Sequence, residues 1–417
     1  MSKQPPAPAE GPSGLGEFIA LMALTMSLVA LSIDMMLPAF PEMNRDLGFA
    51  SPNDTQLIIS LLFIGLATGQ PFYGPLSDSI GRKPAMYAGF ALLVLGSLIC
   101  LSATNVTGML AGRFLQGFGA AGPRTVAMAL IRDRFQGSEM ARVMSFIMTI
   151  FILVPILAPA LGQGILLFAG WRMIFAVFIG FSVVILAWLV LRQPETLPPQ
   201  YRRPFTLVSV GRGLLEVLGN GAAMAYTLVA GAVFGAFMGY LNSCQQIFQV
   251  QYGLGKLFPL YFGGLALFIG VAAVVNGQLV MRFGMHRLTR RALYAVTVLS
   301  WVLLSLSGWF AGHPPLFAFM AVLVGWFFCM GVVFGNINAM AMEPLGHVAG
   351  SAAAVIGTAS TLMAVGLGYL VGGAYDGTLL PMAVGFAVLT SIASALTAWY
   401  EAPSRRARVA RKKYSNL

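Results

Sequence analysis

Apolar residues fall along this chain in long unbroken runs, with neither the alternation of a half-buried strand nor the narrow stripe of a surface helix. The runs cover residues 17–41, 55–77, 85–104, 107–131, 141–169 and 171–191. After a polar stretch they resume at 222–250, 257–281, 290–311, 315–341, 349–374 and 378–400. A bilayer is crossed by roughly 20 apolar residues of helix, and a helix satisfies its own backbone inside lipid. The pattern therefore predicts an all-α membrane protein with twelve transmembrane helices, and an even number of crossings puts both termini on one side.

The polar gaps carry the orientation. One set of gaps holds Lys3, Arg82, Lys83, Arg132, Arg134, Arg142, Arg192, Arg202, Arg203, Arg212, Arg282, Arg287, Arg290, Arg291 and six basic residues between Arg405 and Lys413. The opposite set holds only Arg45, Arg172 and Lys256. Basic residues concentrate on the cytoplasmic side of membrane proteins, so both termini are expected there, in a bacterial inner membrane. The division is a cytoplasmic tail 1–16, a six-helix half 17–191, a linker 192–221, a second half 222–400 and a basic tail 401–417.

Composition excludes several classes. Of 417 residues, 58% are hydrophobic and 9% are charged, far below the charge of a soluble domain. The net charge of +11 is spread over loops and a tail, which argues against nucleic acid. Cys100, Cys244 and Cys329 each sit inside an apolar run, without paired or metal-ligand spacing. No metal or cofactor site is read from this composition, membrane lipid is the expected surrounding, and a monomer is the default. An intramembrane hydrolase would need clustered catalytic side chains, and a channel a charge ring or filter; neither pattern is present.

Gly74-Pro75-Leu76-Ser77-Asp78-Ser79-Ile80-Gly81 ends the second run of the first half, and Gly277-Gln278-Leu279-Val280-Met281-Arg282-Phe283-Gly284 ends the second run of the second. This internal repeat fits two six-helix halves related in parallel, the layout of major facilitator transporters. Gly74 to Gly81, continued by Arg82 and Lys83, resembles that superfamily's signature between helices two and three. Arg113-Phe114-Leu115-Gln116-Gly117-Phe118-Gly119-Ala120-Ala121 resembles the helix-four signature of its proton-driven members. Leu31-Ser32-Ile33-Asp34-Met35-Met36-Leu37-Pro38-Ala39-Phe40-Pro41 is similar to helix one of the Bcr/CflA drug-resistance family, as are Arg132-Asp133 and Glu195-Thr196-Leu197-Pro198-Pro199. The resemblance implies a proton-coupled exporter of drugs or related small amphipathic molecules. A symporter importing a sugar or other metabolite on the same fold is the alternative.

Charges inside apolar runs cost about 2.5–3.5 kcal/mol each on insertion scales, which makes them functional candidates. Asp34 and Arg113 fall at similar depth, about 10 and 9 Å from the outer surface at 1.5 Å per residue; Asp34 is expected to bind and release the coupling proton, with Arg113 favouring its ionised form. Arg124 lies in the inner half of the same run as Arg113, facing either the cavity or the headgroups. Gly74, Asp78, Gly81, Arg82, Lys83 and Asp133 form the expected conformational gate, with Arg82 reaching Asp133 and Asp78 near the start of helix eleven. Pro155, Pro159 and Gly162 match in part the family's helix-five antiporter signature. Met26, Gln116, Arg124, Asn242, Gln245 and Asn336 are candidates to line the substrate path, although polar residues of this kind often bond between helices. Glu343, Asp376, His286, His313 and His347 read as interfacial.

Overall fold

The computed structural model describes residues 14–206 and 208–402. Nearly all of the expected amino-terminal tail, with Lys3, and of the carboxy-terminal basic tail lies outside these residues. Among the described residues every regular element is helical: α1 Leu15–Asp34, α2 Phe40–Leu47, α3 Leu57–Ile80, α4 Arg82–Leu101, α5 Val106–Arg134, α6 Gly137–Leu166, α7 Arg172–Arg192, α8 Val208–Gly219, α9 Gly221–Gln245, α10 Phe258–Phe283, α11 Met285–Trp309, α12 Leu316–Met342, α13 Ala349–Gly373 and α14 Leu380–Glu401. Eleven stretches are long and apolar enough to cross a membrane. Among the described helices of 18 residues or more, the one that misses this criterion is α5, 29 residues long, whose arginines and glycines lower its hydropathy.

The chain divides into two compact units, residues 1–209 with 255–267 and residues 210–254 with 268–417. In the first unit α5 packs along both α3 and α4. Glycine makes this possible. A Cβ at Gly117 would collide with the Leu62 carbonyl oxygen of α3, and one at Gly65 with the Phe114 carbonyl oxygen of α5. Backbones approach this closely only where side chains are missing, the usual device for helix pairing in lipid. On the α4 side, Gly96 lies against the backbone of Gly112 and Gln116.

Helix ends follow local chemistry. The first apolar run was expected to continue as one helix from 17 to 41, but α1 stops at Asp34. A turn at Met35 and Met36 and a 3₁₀ turn at Leu37–Ala39 follow, and α2 then runs to Gly48, which ends it at φ 73°. Pro38 explains the interruption: it has no N–H to donate and disfavours helical geometry in the residue before it. Gly81 separates α3 from α4 at φ 108°, and Gly284 separates α10 from α11 at φ 78°, both left-handed conformations that suit glycine. In contrast, α6 runs unbroken through Pro155 and Pro159.

The stretch 192–221, expected to be a polar linker, contains the twelve-residue helix α8. Its Gly213 and Val217 face inward, with Gly213 tight against Ser351, while Val208, Leu214, Leu215 and Leu218 are exposed. The second unit is built on α9, whose Gly231, Gly235 and Gly239 take Met363, Leu367 and Val371 of α13. Beyond Gln245, α9 widens into a π-helical turn, Gln246–Gln251. In the turn before α14, the Thr378 hydroxyl and backbone N–H donate to Asp376 at 2.7 and 3.0 Å and hold its carboxyl below the usual range.

The close α3–α5 contact makes a testable demand. Gly117→Val is expected to lower stability by roughly 1–3 kcal/mol, as overpacking does, read as a reduced thermal midpoint of detergent-purified protein. Gly180→Ala on α7, where a Cβ meets nothing within 4 Å, is expected to leave the midpoint within about 0.5 kcal/mol of wild type.

Candidate functional site

Arg113 has no solvent exposure. Its Nε donates to the Ile58 carbonyl of α3 at 3.0 Å. One Nη1 donates to the Ser32 carbonyl of α1 at 3.2 Å and to Gln116 Oε1 at 2.5 Å. Gln116 passes the link onward, its Nε2 donating to Ser97 Oγ of α4 at 2.8 Å. The guanidinium thus joins three helices through backbone carbonyls and makes no ion pair with Asp34. Its Nη2 is buried without a hydrogen-bond partner, as are the Gln56 amide and the Ser60 hydroxyl at the start of α3.

Asp34 closes α1 two residues beyond the carbonyl that Arg113 holds, and its exposure is 5%. Among the described residues it has no hydrogen-bond or ion-pair partner. A small cavity of about 10 Å³, roughly one water position, adjoins this turn, lined by Ser32, Met35, Met36 and Gln116 together with residues of α7. From the other side α6 presses on the same turn: a Cβ at Gly162 would strike the Met35 carbonyl oxygen. Gly162 of the expected helix-five signature therefore sits against the residue that follows Asp34.

A second cluster lies where α3 turns into α4. Arg82, 4% exposed, donates from Nε to Asp133 at 2.9 Å and from Nη1 to Asp78 at 2.5 Å and Ser77 Oγ at 2.9 Å. Thr196 also donates to Asp133, at 3.0 Å. The Glu195 carboxylate accepts the backbone N–H groups of Arg82 and Lys83, each at 3.0 Å, satisfying donors that the first turn of α4 otherwise leaves open. Gly81 is required twice over here, since a Cβ would fall 2.8 Å from Glu195 Oε2. Lys83 Nζ reaches the Val190 carbonyl at 3.2 Å, whereas Gly74 has open space around it.

The other candidates separate by environment. Met26 and Gln116 are buried, Gln116 bonding between helices. Asn336 is paired amide to amide with Asn276, at 2.9 and 3.0 Å, joining α12 to α10. Gln245 donates to Gln249 at 2.8 Å across the π turn, and Asn242 keeps a buried Oδ1 without a partner. Arg124 is exposed and, among the described residues, has no hydrogen-bond or ion-pair partner. It stands ten residues before the end of α5, about 15 Å along the helix axis.

The Major Facilitator Superfamily model matches residues 22–368 of the chain. The chain belongs to the Major Facilitator Superfamily. Among curated proteins it is 34% identical to an uncharacterized MFS-type transporter, YdgK, of Bacillus subtilis, over 87% of this chain and 90% of that one. It is 30% identical to the bicyclomycin resistance protein homolog of Haemophilus influenzae, over 90% of this chain and 94% of that one. A multidrug resistance protein MdtL of Citrobacter koseri is 28% identical over 80% and 82%. Among solved structures, the human organic anion transporter MFSD10 superposes with a TM-score of 0.70 at 16% identity, covering 94% of this chain and 99% of that one. The partially occluded inward-open xylose transporter XylE of E. coli gives 0.70 at 12%, covering 94% and 100%. At such identities the structures show the shared fold. The protein is therefore a multi-pass major facilitator transporter rather than an enzyme, with small-molecule cargo, and its relatives include drug-resistance proteins.

Several residues of this transporter escaped the sequence reading. Glu195 was quoted only as part of a family-like stretch, and its capping of α4 across the fold had no local signal. Glu17 accepts from Arg192 at 2.7 Å and from Trp188 at 2.8 Å, fastening the start of α1 to the end of α7. Glu343 and His286, read as interfacial, belong to one network with Glu401, described below.

A double-mutant cycle tests the Arg82 cluster. Arg82→Gln and Asp133→Asn are each expected to lower the thermal midpoint, with a coupling of about 1 kcal/mol between them. Additive effects would mean that the bond contributes nothing to stability.

Proposed function

We propose that this transporter is a proton-coupled antiporter of the bacterial inner membrane that exports drugs or related small amphipathic molecules. In this reading α5 joins the eleven apolar stretches as a twelfth crossing helix, the crossings form halves 17–191 and 222–400 joined by 192–221, and both termini are cytoplasmic. The observation that carries the proton reading is Asp34: a carboxyl buried at the interrupted end of α1, with no cation to answer it. The names of the drug-resistance relatives support the choice of cargo.

A carboxyl inside a membrane span is costly and a functional candidate, and one without a partner is available to carry a proton. Arg113 grips the same helix two residues earlier and retains an unpartnered Nη2. Movement of the Asp34 turn toward that nitrogen would exchange proton for cation and release the proton. The small cavity beside Ser32 and Met35 gives the turn room for this, and Gly162 lets α6 follow the motion without a side chain in the way. Alternating access, the rocking of two halves, then exposes the carboxyl to each side in turn.

The gate reading rests on Gly74, Asp78, Gly81, Arg82, Lys83 and Asp133. Three of these charges close on each other within one unit, so the α3–α4 corner moves as a rigid piece that a conformational switch must engage or release. Arg124 belongs on the substrate route. An exposed guanidinium about 15 Å from its helix end is costly against hydrocarbon and cheap against water or cargo. That position favours neutral, zwitterionic or anionic drugs over cationic ones.

The test uses purified protein in liposomes with an internal pH dye, challenged with drugs and metabolites. Drug-driven proton movement is expected in wild type and a loss of at least about tenfold in Asp34→Asn, the scale on which a required proton carrier acts. Arg124→Ala is expected to raise the concentration of anionic or zwitterionic drug needed for half-maximal signal. Proton movement that survives in Asp34→Asn removes helix one as the carrier, and movement driven only by a sugar turns the reading to import.

A further inference from the structure

The first turn of α11 resembles the first turn of α4 in part, with a different chemistry at its centre. Gly284, like Gly81, precedes its helix in a left-handed conformation. Asp133 lies near the end of α5 and Glu343 just past the end of α12; Glu195 follows α7 and Glu401 ends α14. In the first unit the charge bonded to the Asp133 carboxylate is Arg82. In the second unit the residue facing Glu343 and Glu401 is His286. Arginine stays charged throughout the physiological range, while histidine is the side chain that changes charge between pH 5 and 8.

Each ring nitrogen of His286 faces a carboxylate. His286 Nε2 is 2.9 Å from Glu343 Oε2, and Nδ1 is 3.3 Å from Glu401 Oε1. Carboxylate oxygens only accept, so both contacts are hydrogen bonds only when both ring nitrogens carry protons. The Tyr226 hydroxyl of α9, 3.1 Å from the same Glu401 oxygen and 3.3 Å from Nδ1, donates to Glu401. On α11 itself, Arg290 Nη1 donates to Glu401 Oε2 at 3.1 Å, and Arg287 is the neighbouring cation. Glu401 is buried, whereas the His286 side chain is 37% exposed and can exchange its proton with water.

We propose that His286 is a proton-binding site of the second unit that, when protonated, ties the start of α11 to the ends of α12 and α14. Loss of the proton leaves one ring nitrogen as a bare acceptor. If Nδ1 is bare, it faces the Glu401 carboxylate, and Tyr226 can satisfy it only by turning its hydrogen away from that carboxylate. If Nε2 is bare, the contact to Glu343 is lost. Loss at Nε2 frees the end of α12 from α11, whereas loss at Nδ1 removes one of two contacts to Glu401 and leaves the Arg290 bond in place. The site is separate from Asp34 and does not depend on the cargo, so the affinity of this corner for protons sets a pH response on the face where these helix ends lie.

The sign follows directly. The stabilising contacts exist with the imidazolium, so their contribution is present at low pH and is lost when rising pH strips one proton from the ring, in a range the experiment must cover. The experiment is thermal unfolding of the full chain in detergent from about pH 5.5 to about 8.5, spanning that range. Wild type, His286→Arg, His286→Gln and His313→Gln are compared. Wild type and His313→Gln are expected to lose about 1 °C of midpoint as pH rises. His286→Arg is expected to hold its midpoint flat, and His286→Gln to be flat and no higher than wild type at the alkaline end. A flat wild-type profile, or His286→Gln falling with pH as wild type does, overturns the proposal. These outcomes do not depend on drug-driven proton movement, so failure of the antiporter reading would leave them unchanged.

Discussion

A guanidinium sealed inside an apolar bundle needs answering groups from the protein itself, because lipid offers none. In the first unit this constraint organises the surroundings of Arg113. Ile58 and Ser32 contribute carbonyls from α3 and α1, and Gln116 relays the contact to Ser97 on α4. Side chains reach those carbonyls only because the backbones lie unusually close, and Gly65, Gly96 and Gly117 permit that closeness. Polarity and packing are thus one device: remove the glycines and the carbonyls recede from the guanidinium; remove the guanidinium and the carbonyl of Ser32 loses its tie to α5.

Asp34 gains its character from the same arrangement. Arg113 holds α1 at Ser32, and Pro38 prevents the helix from continuing in regular form, so the carboxyl sits on a short buried segment between that grip and α6. Gly162 adds a bearing surface against Met35. The proposed proton role draws on this buried acid at an interrupted helix end, beside a cation that bonds elsewhere. A conventional salt bridge between the two residues would have locked the turn in place.

Helix content was legible because lipid leaves few alternatives: long apolar runs with charged gaps became helices at nearly the expected places. The exceptions are physical. Pro38 cut α1 short within a run whose hydropathy gave no warning. Arg212 and Glu216 disguised α8 as part of a polar linker, although its valine and leucine face is clear once the helical period is drawn. Among candidate residues, Arg82 and Asp133 were found because the α3–α4 signature marks them in one stretch of chain and its neighbour. Asp34 and Arg113 stood out as isolated charges, but their separation in space depends on rotamers and helix rotation, which periodicity does not encode. Glu195 and Glu401 act on helices far from them along the chain, and His286 acquires meaning only when two carboxylates converge on it.

The Glu195 cap also has a consequence for biosynthesis. The carboxylate lies 113 residues after the Arg82 N–H that it accepts. Nearby, Arg203 N–H donates to the Asp78 carbonyl at 3.0 Å, and Phe205 packs on Phe72 with ring centres 5.4 Å apart. While the ribosome is still making the intervening helices, the α3–α4 corner has its arginine but neither its cap nor its cover. The first unit is completed only when the segment beyond α7 emerges and folds back, so a chain that ends before residue 195 lacks the carboxylate that caps α4.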